Sequence, residues 1–113
     1  MSTRAAIRFK PGPDAPAEVT LLVHYDGYPE YLGVKLARAV ALSTQAQALN
    51  ILHVLDHLRP VNFRIGGPLA GDEEYLYDVH PADTNVQISI FDLNNDQEIF
   101  TGTVEELLAK YKK

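Results

Sequence analysis

Two stretches of this chain pair residue types and spacings that can do chemistry. In His24-Tyr25-Asp26 a carboxylate stands two residues beyond an imidazole. If a strand continues through Asp26, alternation turns both side chains the same way. The aspartate can then orient the histidine and raise its basicity, as a general base requires. A plainer use fits the same residues: Asp26-Gly27 is turn chemistry, Asp26 can accept the amides that follow it, and His24 can simply pack. In His53-Val54-Leu55-Asp56-His57 the two histidines are four apart, which puts both on one face of a helix, as a metal site requires. Val54 stands where a zinc-protease motif carries its glutamate, so hydrolytic metal chemistry is not indicated. Both histidines lie roughly opposite the Ala48/Leu52/Leu55 stripe and are expected in solvent. A metal would need a third ligand close to both, such as His24, His80 or a carboxylate, and none is assigned.

Other chemistries lack their parts. The chain has no cysteine, which removes thiol nucleophiles, disulfides and thiolate metal sites. Ser2, Ser43 and Ser89 lie outside any G-x-S-x-G turn. Gly66 and Gly71 have the spacing of a phosphate loop, but Asp72 and Glu73 follow where lysine and a hydroxyl are needed. Those carboxylates repel phosphate, so this is read as a surface loop. Asp72-Glu73-Glu74 reads as a solvated acidic run. No residue is assigned a catalytic role and no cofactor is expected.

Tyrosine placement is more informative. Tyr25, Tyr28 and Tyr31 surround one Asp-Gly-Tyr-Pro turn, and Tyr75 and Tyr77 share a later segment, which together hold five of the six tyrosines. A ring with a polar tip suits an interface, and equally the rim of a core. The candidate binding residues are therefore His24, Tyr25, Asp26, Tyr28 and Glu30.

The elements that must position them follow from periodicity. Alternation predicts strands over 3–10 and 18–25, paired as an antiparallel hairpin across the proline-rich loop 11–16. Pro29 suits a first helical position, and Glu30 suits the positive end of a helix dipole. A helix is predicted over 29–42, with Leu32, Leu36, Ala39 and Val40 on one side. Ser43 or Thr44 is read as the cap of a second helix over 45–58, with Ala48, Ile51, Leu52, Leu55 and Leu58 inward. Arg59-Pro60 ends it. Residues 61–65 read as a short strand or connector, 74–79 as a strand, and His80-Pro81-Ala82-Asp83 as a turn. Residues 85–93 and 97–101 complete the strands around an Asn94-Asn95-Asp96 turn. Thr103-Val104-Glu105-Glu106 is a capping box for a last helix to Tyr111, whose negative end Lys110, Lys112 and Lys113 complement. The order β-β-α-α-β-β-β-α indicates one α+β domain over residues 1–113. Its sheet is expected to be antiparallel, of four to five strands, with helices mainly on one face.

Composition sets the outer bounds. The 113 residues carry 15 acidic and 10 lysine or arginine side chains, a formal charge of −5. Apolar residues make up 46%, which suits a folded core rather than disorder. No apolar run spans a membrane and no secretory leader is visible in the first residues, so a cytoplasmic protein is expected. The acidic balance argues against nucleic acid as a partner. The one opening for it is Arg4, Arg8 and Lys10, which alternate with Ala5, Ile7 and Phe9 and can line one strand face. Homodimerisation through an unpaired sheet edge is also open.

The run from His24 through Asp26-Gly27-Tyr28-Pro29-Glu30, followed by Leu32-Gly33 and Leu36, resembles the signature of a small family of uncharacterised bacterial and phage proteins. The Ser2-Thr3-Arg4-Ala5 opening, the Tyr75-Leu76-Tyr77 strand and the Ile99 to Leu108 strand-and-helix ending are similar too. Many relatives carry Trp where this chain has Tyr25. The resemblance implies a bacterial or mobile-element protein whose most characteristic surface is the strand-to-helix turn. Two functional readings stand: a non-catalytic protein-binding module, or a small-ligand protein or enzyme using His24 and Asp26.

Overall fold

A computed structural model describes residues 3–12, 14–45, 48–58, 61, 63–66, 69, 71–82 and 85–111, with the backbone alone at 44, 45, 48 and 49. Ser2, Ala46 and Gln47, the Arg59-Pro60 stop, the turn residue Asp83, and Lys112 and Lys113 lie outside the described residues.

The chain is α+β. Strands β1 (Ala5–Phe9) and β2 (Val19–Val23) form the predicted antiparallel hairpin. A π-helical turn over Pro29–Gly33 runs into helix α1 (Val34–Ser43). Two-residue strands β3 (Thr44–Gln45) and β4 (Ala48–Leu49) pair with each other. Helix α2 (Ile51–His57), strands β5 (Phe63–Ile65), β6 (Tyr75–Ala82), β7 (Asn85–Asp92) and β8 (Gln97–Gly102), and helix α3 (Val104–Tyr111) complete it.

The main sheet has six strands in the order β5-β2-β1-β6-β7-β8, and β1 pairs with β6 in parallel. This corrects the expectation of an antiparallel sheet of four to five strands. A strand's own alternation fixes its faces but not its neighbour's direction. Here the connection from β5 returns across one face of the sheet to place β6 beyond β1, and Leu69 on that connection packs against Ala6, Leu22 and Leu76.

Two local boundaries also move. The second helix begins at Ile51, because Asn50 is its cap: its side chain accepts the His53 amide at 3.3 Å. Ser43 ends α1 instead, its hydroxyl donating to the Ala39 carbonyl at 2.7 Å. With that start the inward set is Ile51, Val54, Leu55 and Leu58, at i, i+3, i+4 and i+7, and Leu52 is 75% exposed. The expected turn at His80-Pro81-Ala82 is instead the end of β6. Proline is tolerated there because β1 stops at Phe9, opposite Val79, so Pro81 has only β7 beside it. Within the acidic run Glu73 is buried rather than solvated, and its carboxylate accepts the Gly71 amide at 3.0 Å.

Other expectations hold. Leu32, Leu36, Ala39 and Val40 are all buried, and in the strand predicted over 85–93 Val86, Ile88 and Ile90 are buried on alternate positions. The capping box closes reciprocally: the Thr103 amide donates to Glu106 Oε1 at 3.0 Å, and the Glu106 amide donates to Thr103 Oγ1 at 3.3 Å. All three helices contribute to one core with Ile7, Phe9, Leu21, Tyr77 and Ile88, so they share one face of the sheet. Among the described residues no helix is long and apolar enough to cross a membrane.

Candidate functional site: the tyrosine-bearing turn

The turn between β2 and the π-helical segment is built from its backbone outward. β2 ends at Val23, and Asp26 takes a left-handed conformation with φ of 55°. That removes the condition under which His24 and Asp26 would face the same way, and no hydrogen bond or ion pair joins them among the described residues. Asp26 tolerates this conformation because its short polar side chain is one of the few that visit it readily.

Gly27 is required by packing. Its amide donates to the Thr3 carbonyl at 2.9 Å. A Cβ at Gly27 would lie 2.6 Å from the Ala5 Cβ and 2.9 Å from the Thr3 carbonyl, distances no side chain can occupy. Tyr77 Oη donates to the Gly27 carbonyl at 2.6 Å. Pro29 is buried, and the Tyr28 carbonyl accepts the amides of Tyr31 at 3.1 Å and Leu32 at 2.9 Å. The turn is therefore tied to β1, to β6 and to its own helix.

This scaffold presents side chains to solvent. Tyr25 is 56% and Tyr28 38% exposed. Asp26 and Glu30 are exposed, and His24 is half-buried. The Tyr28 and Tyr31 rings lie 6.3 Å apart and tilted, and the Lys35 ammonium sits 5.6 Å from the Tyr31 ring centroid.

Tyr77 and Tyr111 are the residues that sequence reasoning left unconnected to the turn. Burial first, then the neighbouring Tyr75, Tyr111 and Glu30, hold the Tyr77 phenol well above its ordinary pKa. Tyr77 is therefore a neutral hydroxyl donor. Burial first, then the carboxylates of Asp92, Glu30 and Glu74, raise Tyr75; burial first, then Glu30 and Tyr75, raise Tyr111. Glu30 thus acts electrostatically on all three, so the two tyrosine groups of the sequence converge near one end of the sheet. The available signal was the Tyr75-x-Tyr77 alternation, which puts both rings on the helix-bearing side, though not their partner.

The remaining candidates separate from this turn. His24 borders a cavity of about 90 Å³ shared with Arg4, Leu22, Arg64, Asp72 and Glu73, which Asp26 does not line. His53 and His57 are exposed. Among the described residues no group of three or more His, Asp or Glu could hold a metal ion. Arg4, Arg8 and Lys10 each meet a carboxylate. Arg4 bonds Asp72. Arg8 donates twice to Asp78, at 2.7 and 2.9 Å, and Lys10 stands 3.6 Å from the same group.

No protein family, curated protein or solved structure matches the chain.

Proposed function

We propose that this chain is a non-catalytic protein-binding module that meets its partner through the 24–30 turn. The observation that carries the reading is a pair of exposed tyrosines on a backbone fastened at Gly27 through both its amide and its carbonyl. Side chains presented by a fixed backbone lose less freedom on binding, so more of their contact energy appears as affinity. Tyrosine suits that role through its apolar ring and polar tip. Asp26 and Glu30 beside the rings favour a partner surface with basic groups. The resemblance to a bacterial and phage family adds the expectation that the partner belongs to a bacterial or mobile-element system.

The small-ligand alternative keeps one observation, the cavity beside His24. Its volume holds about three water molecules, so its ligand would be a small ion or fragment held by His24 with Arg4 or Arg64. Asp26 has no part in that arrangement.

The deciding experiment is affinity capture from a bacterial host lysate with wild-type bait and a Tyr25→Ala/Tyr28→Ala bait of equal unfolding midpoint. A protein retained by the first and lost from the second is expected. The same set on both baits, or no specific capture by either, counts against this surface.

A further inference from the structure

The face of the sheet away from the helices carries a groove of about 330 Å³ beside β8. Its apolar lining is Leu76, Phe91 and Leu93; its charged rim is Asp92, Asp96 and Glu98. No ion pair among the described residues neutralises any of these three carboxylates. Among the described residues the one cation in the lining, Arg8, is held by two bonds to Asp78. Arg8 is therefore a paired group, and the three carboxylates remain as the unbalanced charge of the lining.

We propose that this groove receives an arginine side chain from an exposed segment of a partner protein. The site is separate from the 24–30 turn and does not depend on the reading given to it. The argument is complementarity of two kinds in one place. An arginine has an apolar stem that can lie on Leu76 and Leu93, and a planar cation that can stack on Phe91 while reaching carboxylates. A neutral apolar side chain would leave the acidic rim unanswered, and an anion would be repelled by it.

Insertion of a side chain also fits better than addition of a strand at this edge. β8 is bulged at Ile99, opposite the Ile90/Phe91 step, and the Ile99 carbonyl accepts the Lys110 ammonium at 2.9 Å. A bulge and a lysine on an edge both oppose pairing with a further strand.

The test titrates the full chain with N-acetyl-arginine amide, with its neutral citrulline counterpart and with benzylammonium, following backbone amide shifts by NMR. The arginine probe is expected to shift amides 91–98 saturably, in the millimolar range, and the citrulline probe to leave them in place. Asp96→Asn with Glu98→Gln should weaken arginine binding roughly two- to five-fold. Asp92 is left intact, because its carboxylate accepts the Asn94 and Asn95 amides and so holds the β7–β8 turn. The Tyr25→Ala/Tyr28→Ala variant should bind the probe as wild type does. No shift with arginine, or equal shifts with citrulline, overturns the proposal. Binding of benzylammonium without arginine also overturns it, by assigning the groove to a free small amine.

Discussion

On the helix-bearing face of the sheet, Ile7, Phe9, Leu21, Tyr77, Ile88 and Ile90 are fully buried under three helices. On the other face the same strands present a short apolar row, Ala6, Leu22, Leu76 and Phe91, beside a polar one of Thr20, Arg8, Asp78, Ser89 and Thr101. Much of the polar row is paired within itself: Arg8 and its neighbour Lys10 share Asp78, and Ser89 Oγ meets Thr101 Oγ1 at 2.9 Å. The first face gains its stability from non-directional burial. The second depends on a few directional contacts that work only in one register. It is also the face that carries the groove beside β8, since the helices of the described residues pack on the other.

Tyr77 should show the largest effect, since it belongs to the buried face and also fastens the turn. Tyr77→Ala is expected to lower unfolding free energy by about 3–5 kcal/mol, measured by urea denaturation. Tyr77→Phe keeps the ring and leaves the Gly27 carbonyl without its donor, costing about 1–2 kcal/mol. The two substitutions separate packing from fastening. The phenol's folded pKa is raised, so its contribution is fully present below the unfolded value of about 10 and is lost as pH rises above it. Wild type should therefore lose about 1.4 kcal/mol per pH unit from this residue in that alkaline range, and Tyr77→Phe should not. Equal alkaline slopes would remove Tyr77 as their source.

Asp78 tests the opposite face. Asp78→Ala leaves the Arg8 and Lys10 cations without the carboxylate that both use, an expected loss of about 3 kcal/mol. Arg8 remains partly in water, which keeps the figure below that for a fully buried pair. Replacing the cluster together, as Arg8→Met, Lys10→Met and Asp78→Leu, should return stability to within about 1 kcal/mol of wild type. If the triple variant is as unstable as Asp78→Ala, the polar row does more than answer its own charges, and the contrast between the faces weakens.

A smaller effect belongs to the ends of the covering helices. Thr103→Ala opens the capping box of α3 and should cost about 1 kcal/mol, because α3 is held chiefly by Leu107 in the core. Thermal unfolding followed by circular dichroism would read it. A loss as large as that of Tyr77→Ala would mean that the helical face relies on local caps more than on burial.

The same contrast explains what could be read from the sequence. Features with a local cause were visible: the hairpin of β1 and β2, the inward stripe of α1, the Thr103 box and the alternation of β7. Features whose cause is a distant neighbour were not. Nothing within 74–79 says that β6 lies parallel to β1, and nothing near Ser43 shows that Asn50 will win as the cap. Within the 24–30 run, the reason for the glycine lies in Thr3 and Ala5. Its fastening comes from Tyr77, fifty residues away. Arg4, Arg8 and Lys10 looked like a basic strip because their carboxylates, Asp72 and Asp78, arrive from another part of the chain.

Arg4 should show the smallest effect and bears on that last point. Its bond to Asp72 joins two side chains that are each about half exposed. Such pairs are screened by water and salt and require two long side chains to be ordered, so Arg4→Ala should change stability by less than about 0.5 kcal/mol. The consequence for partners is larger than the energy. Two carboxylates already answer the three cations of β1 and its flanks, so few counterions would be released by setting this strip against phosphate. Fluorescence anisotropy with single- and double-stranded probes at low salt should therefore show no binding that Arg4→Ala weakens. If wild type does bind, and the variant loses affinity with a shallower salt dependence, then the Asp72 pairing opens on contact and the uncovered face has a nucleic-acid role after all.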